Sequence, residues 1–351
     1  MEKYVLQSLV LVLFISCTNQ KPQPVLSKDQ TISKIAIGSC AQQWLPQPIW
    51  EQIGQQKPDA FLFIGDAIYG DWDGTDVFEI SEATLDRDYA RLQSIPEFAD
   101  FRSKIPILAT WDNHDYGKHN GGAEFKHKEL SKRKFLDFFK EPQNSERRYT
   151  PGIYDATIYG PPGKRAQIIL LDTRWFKGPF LLDTLDTKAR KKIGKVGKYI
   201  GNPNASLLGE QQWKWLEQEL RKPAEIRCIV SSTQIIPDQK GMDEWGNYPN
   251  DRNRLFNYIA NSSGTSILLS GNVHFGEIST LTYHNKPIYE LTSSGLTHIN
   301  ETYGNAENKY RVGKPLIDLN FGCVQIDWQK KNIALQLMNS EGLAFEHILN
   351  F

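Results

Sequence analysis

The sequence predicts an α/β domain, and three observations carry the prediction. Short apolar runs recur at Ile35–Ile37, Phe61–Ile64, Ile105–Thr110, Ala166–Leu171, Ile226–Ser231 and Ser266–Ser270. Runs of this length read as strands buried on both faces. Amphipathic stretches with helical spacing lie between them, and the C-terminal third is rich in further strand-like segments. Each buried run also ends in a knot of polar residues, where open α/β sheets place their ligands.

In chain order, Ile35-Ala36-Ile37-Gly38-Ser39 is a strand turning at Gly38 into Cys40. Trp50–Gln56 reads as a helix and Lys57-Pro58-Asp59 as the turn into the strand at Phe61. That strand runs into Gly65-Asp66-Ala67-Ile68-Tyr69, where glycine permits a sharp bend. Taken alone, Asp66 is equally a turn former and a metal ligand. Ser81–Arg91 and Glu97–Lys104 read as helices. The third strand, Ile105–Thr110, enters Trp111-Asp112-Asn113-His114-Asp115-Tyr116-Gly117. A turn needs one Asp or Asn, so this density of proton- and metal-handling groups points to function. Lys126–Lys140 is a helix with Leu130, Phe135, Phe138 and Phe139 inward. Gly152–Gly160 and Ala166–Leu171 pair around Pro161-Pro162-Gly163-Lys164, and the second ends in Asp172-Thr173-Arg174. Leu207–Leu220 and Arg252–Asn261 are helices. Ile226–Ser231 leads to Gln234, and Ser266–Ser270 leads to Gly271-Asn272-Val273-His274. Strands follow at Glu277–Tyr283, Ile288–Thr292, Cys323–Trp328, Asn332–Met338 and Ala344–Ile348.

Composition bounds the rest. The chain has 351 residues, 40% of them hydrophobic, enough for one large domain. Its 41 basic and 41 acidic residues balance, which argues against a dedicated nucleic-acid binder. Leu9–Ile15 is too short to span a bilayer and reads as the apolar part of a signal peptide. Ser16-Cys17 after it resembles a lipobox, in which Cys17 is lipidated; an ordinary signal peptide that discards Cys17 is the other reading. The expected organisation is a signal peptide with lipobox over 1–17, a flexible tether over 18–32 and one domain over 33–351. The expected product is an exported, membrane-anchored lipoprotein facing the periplasm or cell surface, and a monomer. Cys40, Cys228 and Cys323 remain, too few and too scattered for a disulfide framework. Cys228 and Cys323 read as core residues, and Cys40 as a thiol that metal ligation would keep unpaired. The six basic residues within Lys188–Lys198 read as a solvated surface insertion.

Parallel or mixed sheets bring strand tips to one edge, so Cys40, Asp66, Tyr69, Asn113, His114, Asn272 and His274 can converge. The set is large enough for two ions sharing Asp66, an arrangement suited to phosphoryl chemistry. Gly65-Asp66-x-x-Tyr69, Asn113-His114-Asp115 and Gly271-x-x-His274 resemble the calcineurin-like metallophosphoesterase superfamily. More narrowly, Gly38-Ser39-Cys40, Trp111-Asp112-x-His114-Asp115-Tyr116-Gly117, Leu171-Asp172-Thr173-Arg174, Leu208-Gly209-x-x-Gln212-x-x-Trp215-Leu216 and Leu269-Ser270-Gly271-x-Val273-His274 resemble the PhoD-like alkaline phosphatase/phosphodiesterase family, from about Ile35 to Thr297.

The resemblance implies a four-layer α/β/β/α sandwich of two mixed sheets flanked by helices. It implies an Fe³⁺–Ca²⁺ type centre and hydrolysis of phosphomonoesters or phosphodiesters by in-line attack of a metal-bound hydroxide. Thiolate Cys40 and phenolate Tyr69, with Asp66 and His274, suit Fe³⁺. Asp66, Asn113 and Asn272 suit Ca²⁺, with Mg²⁺, Mn²⁺ or Zn²⁺ as alternatives. His114 is expected to act as general acid or to bind the phosphate. Arg174 either forks onto phosphate oxygens or pairs with Asp172. Asp112, Asp115, Asn120 and Gln234 are expected to contact substrate or support the ligands. The family usually has Asp where Asn272 stands and often Asp where Asn113 stands. A second reading therefore keeps the fold but treats the chain as a surface binding protein weakened at Asn272. A mononuclear iron oxygenase is a poor third, since it has no use for the extra amide and thiol ligands.

Overall fold

A computed structural model describes residues 23–351. The lipobox reading at Cys17 lies outside the described residues, and among them no helix is long and apolar enough to cross a membrane.

The strands in chain order are β1 (Lys34–Gly38), β2 (Ala60–Ile64), β3 (Ile107–Thr110), β4 (Asp155–Tyr159), β5 (Ala166–Leu170), β6 (Leu181–Leu182), β7 (Tyr199–Ile200), β8 (Ile226–Val230), β9 (Thr265–Ser270), β10 (Gly276–Tyr283), β11 (Lys286–Ser293), β12 (Arg311–Leu316), β13 (Phe321–Asp327), β14 (Asn332–Asn339) and β15 (Gly342–Asn350). They form a six-stranded sheet, β15-β14-β13-β1-β2-β3, and a seven-stranded sheet, β12-β10-β11-β9-β8-β5-β4. Each has a parallel centre: β1, β2 and β3 in the first, and β5, β8, β9 and β11 in the second. Antiparallel strands flank both centres.

The period-two alternation of strand side chains creates the layers. Ile35, Ile37, Leu62 and Ile64 of the first sheet meet Ile168, Leu170, Cys228, Val230, Ile267 and Leu269 of the second in a core between the sheets. Ala36, Phe61 and Phe63 point the other way, onto Trp50, Leu85, Phe98, Phe101 and Phe135 of the outer helices. Ile169, Ile229 and Leu268 face outward from the second sheet onto Trp213, Leu216, Leu255 and Phe256. Three cores separating four layers make the expected α/β/β/α sandwich. Cys228 and Cys323 are buried free thiols within it.

One expectation needs correction. Residues 23–32, expected as part of a tether, lie against the domain. Leu26 and Ile32 are buried between the sheets, the Ile32 carbonyl accepts a hydrogen bond from Trp328 Nε1 at 2.8 Å, and the Lys28 carbonyl accepts the Gly160 amide at 2.8 Å. β12 went unread because its Gly313, Lys314 and Pro315 are poor strand formers. Within the basic insertion β6 and β7 pair antiparallel, and between them Thr187–Lys192 forms a short helix capped by Asp186.

Candidate metal centre

Because β1, β2 and β3 run parallel, as do β9 and β11, their carboxyl ends reach one edge of the sandwich. Cys40 lies just past β1 and Asp66 just past β2. Asn113 and His114 open a helical turn, Asn113–Tyr116, after β3. Asn272 and His274 follow β9. The chain turns abruptly at these tips: Cys40, Asp66, Asn272 and His274 adopt φ of 64°, 52°, 69° and 58°. This left-handed region costs a non-glycine residue about 1–3 kcal/mol and is held only where its surroundings dictate it. Gly65, at φ 90°, is held in a close approach; a Cβ there would sit 2.4 Å from Asp112 Cβ.

The turns bring one donor atom each from Cys40, Asp66 and His274 within 4.8 Å of one another. The Cys40 thiol points at Asp66 Oδ2, 3.5 Å away, and at Ser294 Oγ, 3.1 Å away. The His114 amide donates to Asp66 Oδ1 at 3.1 Å, and the His274 amide to Ser294 Oγ at 2.9 Å. The electrostatics show strain of one sign. Burial, and then the Asp66 charge, push the Cys40 thiol well up. Burial raises Asp66 to about 7. Burial and the neighbouring Cys40 and Asp66 raise the Tyr69 phenol as well. The His114 and Arg174 charges offset part of the burden on Asp66, and acidic donors packed together in a buried site are what a bound cation relieves further. Burial, and then His298, hold His274 well below its usual value, in the neutral form that ligates metals.

Asn113 is buried, and its Nδ2 has no hydrogen-bond partner. Asn272 Nδ2 donates to the Asp243 carbonyl at 3.3 Å, which fixes the amide and leaves its oxygen as the free ligating atom. Tyr69 stacks on His114 with ring centroids 4.2 Å apart, and its hydroxyl lies 3.2 Å from His298 Nε2. His114 Nδ1 sits 2.6 Å from Asp71 Oδ1. Burial opposes the charged imidazole, but Asp66 and Asp71 outweigh it and raise His114 above its ordinary value.

The surrounding residues divide. Asp112 Oδ1 accepts Ser232 Oγ and Arg174 Nε, both at 2.6 Å. Asp115 accepts the Asp112 and Ile68 amides at 3.1 Å, so it binds the β2 turn to the β3 turn rather than meeting substrate. Asn120 Nδ2 donates to Tyr199 Oη at 2.9 Å, and its carbonyl accepts Lys177 Nζ at 2.8 Å. Two expectations are corrected. Arg174 is fully buried, with Nη1 on Asp243 Oδ2 at 2.6 Å and the rest of its fork on Asp112. It neither reaches out for phosphate nor pairs its guanidinium with Asp172, which instead accepts the Arg174 amide at 2.9 Å. Gln234 is drawn into a buried network, donating to Glu277 Oε1 and Thr292 Oγ1 and accepting Lys240 Nζ. Both side-chain polar atoms of Gln234 are thus engaged within the protein.

The sequence profile of the PhoD-like phosphatases matches residues 35–337. The chain belongs to that family. Alkaline phosphatase D of Bacillus subtilis (strain 168) is 22% identical over 264 residues, covering 66% of this chain and 44% of that protein. The chain thus spans less than half the length of this curated relative. Among solved structures, one of PhoD superposes with a TM-score of 0.68 at 17% identity, covering 93% of this chain and 70% of that one. GAP50, the anchor in the inner membrane complex of Plasmodium, superposes with a TM-score of 0.56 at 13% identity, covering 92% and 90%. Both likenesses establish the fold.

PhoD-like phosphatases are metal-dependent, and the Cys40–Asp66–His274 cluster is a candidate metal-binding group of matching character. Residues missed in the sequence complete its surroundings. His298, Ser294 and Thr297 follow β11, which runs parallel to β9 and so delivers its tip to the same edge. The His298 ring packs edge-on against His274 with centroids 4.2 Å apart, and burial followed by the His114 charge lowers it to about 4. The signal was a polar run, Ser293-Ser294-Gly295-Leu296-Thr297-His298, at the end of an apolar strand. Asp71 was missed because it sits in a loop with no periodicity to read.

Proposed function

We propose that the chain is a dinuclear-metal phosphoesterase acting on phosphomonoesters, phosphodiesters or both. We further propose that it is exported through its N-terminal segment and tethered at Cys17, facing the periplasm or cell surface. The observation that carries the enzymatic reading is the convergence of Cys40, Asp66 and His274 from three different strand tips. Cys40, Tyr69, Asp66 and His274 would hold the softer-liganded ion, Fe³⁺ in this reading. Asp66, Asn113 and Asn272 would hold a harder one such as Ca²⁺, with Asp66 between them. Bound there, the pair supplies Lewis-acid activation of water and neutralises charge on the phosphoryl oxygens.

The chain's own residues supply the rest. Asp71 fixes His114 through Nδ1 and helps hold the ring protonated, which leaves Nε2 to give a proton to the departing oxygen. Tyr69 stacked on the ring limits its rotation. Asp112 and Arg174 brace the β3 turn that carries Asn113 and His114.

Metal analysis paired with one monoester and one diester assay tests the reading. Purified protein is expected to hold two metal equivalents and to hydrolyse at least one ester. Asp66→Asn is expected to lose one equivalent and nearly all turnover; a variant that keeps both removes Asp66 from the bridge. The second reading, a surface binding protein on this fold, rests on Asn272, which supplies a neutral oxygen where a carboxylate would add charge. Metal-loaded protein inert on both esters would favour it.

A further inference from the structure

Residues 178–207 form an insertion whose composition departs from the rest of the chain. The whole chain is electrically balanced, yet this segment has six basic and two acidic side chains. Lys188, Lys191 and Lys192 are exposed and spaced to share one face of the short helix. Among the described residues, Lys195 is the basic residue of the segment that pairs with a carboxylate, Asp183 at 3.1 Å. Beside these charges the same segment exposes large apolar side chains: Leu181 at 44%, Leu182 at 56%, Leu185 at 40% and Ile193 at 60%. Cations interleaved with solvent-facing leucines in a short excursion suit the headgroup boundary of a bilayer, where the charges meet anionic lipid and the apolar groups enter the acyl edge. A soluble polyanion would use the lysines and leave the leucines without a role.

The insertion is fastened to the rim of the metal centre. Val196 packs against Val273, the residue between Asn272 and His274, and against Met242 and Phe275. The Val196 and Gly197 amides donate to the Lys240 carbonyl at 3.1 Å and 2.9 Å, and the Tyr199 amide to the Gly241 carbonyl at 2.9 Å. Phe180 stacks on Tyr199 with centroids 3.9 Å apart, and Tyr199 accepts from Asn120. A surface bound by the insertion would therefore lie against the mouth of the site. Ile299, adjacent to His298, is also exposed there.

We propose that the insertion 178–207 is a docking surface for an anionic lipid bilayer, seating the metal centre on the membrane that presents its substrate. The word substrate rests on the phosphoesterase reading; the docking does not.

The experiment is vesicle co-sedimentation of the full chain, wild type and variants alike, so that whatever the N-terminal segment adds is common to all. Vesicles of phosphatidylcholine are compared with vesicles in which a third of the lipid is phosphatidylglycerol. Wild type is expected to favour the anionic vesicles by about tenfold or more at low salt, with the preference shrinking as salt rises. Lys188→Glu/Lys191→Glu/Lys192→Glu is expected to abolish the preference. Leu181→Ser/Leu182→Ser is expected to weaken anionic binding several-fold while keeping its salt dependence. Hydrolysis of bis(p-nitrophenyl) phosphate, a soluble diester, is expected to be unchanged in both variants. Equal partition of wild type between the two vesicles overturns the proposal. So does a triple variant that retains the preference, or binding to soluble polyphosphate without binding to anionic vesicles. A chain that hydrolyses nothing but shows the lysine-dependent preference would remove the phosphoesterase reading and leave the docking intact.

Discussion

Arg174 separates two accounts of this site, and its replacement gives a measurable answer. If its fork served substrate phosphate, Arg174→Leu would raise KM and leave the fold alone. The structure instead encloses the guanidinium completely and shares it between Asp112 and Asp243. Removing one member of a buried charged group strands the others, at a cost of roughly 3–5 kcal/mol. The unfolding entropy of about 2.1 cal/mol/K per residue, over the described length, gives about 0.7 kcal/mol/K, so the midpoint should fall by roughly 4–7 °C. Arg174→Lys keeps the charge but not the fork, so its loss should be smaller. The assay is thermal unfolding by circular dichroism, with KM on a diester measured on the same samples. An Arg174→Leu protein that melts within about 1 °C of wild type while its KM rises tenfold would refute the ion-pair account. Adding Asp243→Asn to Arg174→Leu should recover part of the stability, because one stranded carboxylate is then gone.

Cys40→Ser should remove any visible thiolate-to-metal charge-transfer band of the metal-loaded protein while leaving a Tyr69 phenolate band; an unchanged absorption spectrum would remove Cys40 from the ligand set. Gly65→Ala should destabilise by at least about 2 kcal/mol and perturb the site, since it adds a left-handed non-glycine residue and a Cβ that collides with Asp112; urea unfolding within 0.5 kcal/mol of wild type would contradict the turn geometry. Glu277 supplies a pH test. Burial opposes its charge, but Lys240 and Arg311 prevail and pull it down to about 2. A depressed carboxylate stabilises above its unfolded value near 4.3, so roughly 3 kcal/mol should be present at neutral pH and lost as pH falls from about 5 toward 2. Glu277→Gln should lie well below wild type in stability at pH 7 and converge on it near pH 2; a gap that stays constant would assign the effect to other acids.

The strand tips were legible because buried strands announce themselves by apolar runs, and a turn of Asp, Asn and His does not follow from turn chemistry alone. Cys40, Asp66, Asn113, His114, Asn272 and His274 were found that way. What could not be read was direction. Gln234 and Arg174 both follow strands of the parallel centre, but their side chains turn inward, onto Glu277 and Lys240 for one and onto Asp112 and Asp243 for the other. Each lies in irregular loop four residues past its strand, where the alternation of strand side chains no longer indicates direction. His298 was lost for the complementary reason: the segment at Ile288–Thr292 gave no sign of which neighbour it would pair with or in which sense. In the insertion, four strand residues and one short helix are too little periodicity to detect.

The left-handed turns at Cys40, Asp66, Asn272 and His274 have a consequence for how such a site can vary. Asn and Asp enter that backbone region more readily than other side chains, and His shares their tolerance, whereas β-branched residues are nearly barred. The fold therefore imposes a short alphabet at its ligand positions before any metal takes part. Position 272 can exchange Asp for Asn and alter its charge without disturbing the chain, but it cannot drift to Thr or Val. The same bend that aims a ligand also restricts its successors, so electrostatic tuning of the centre proceeds by swaps among shapes the backbone already accepts.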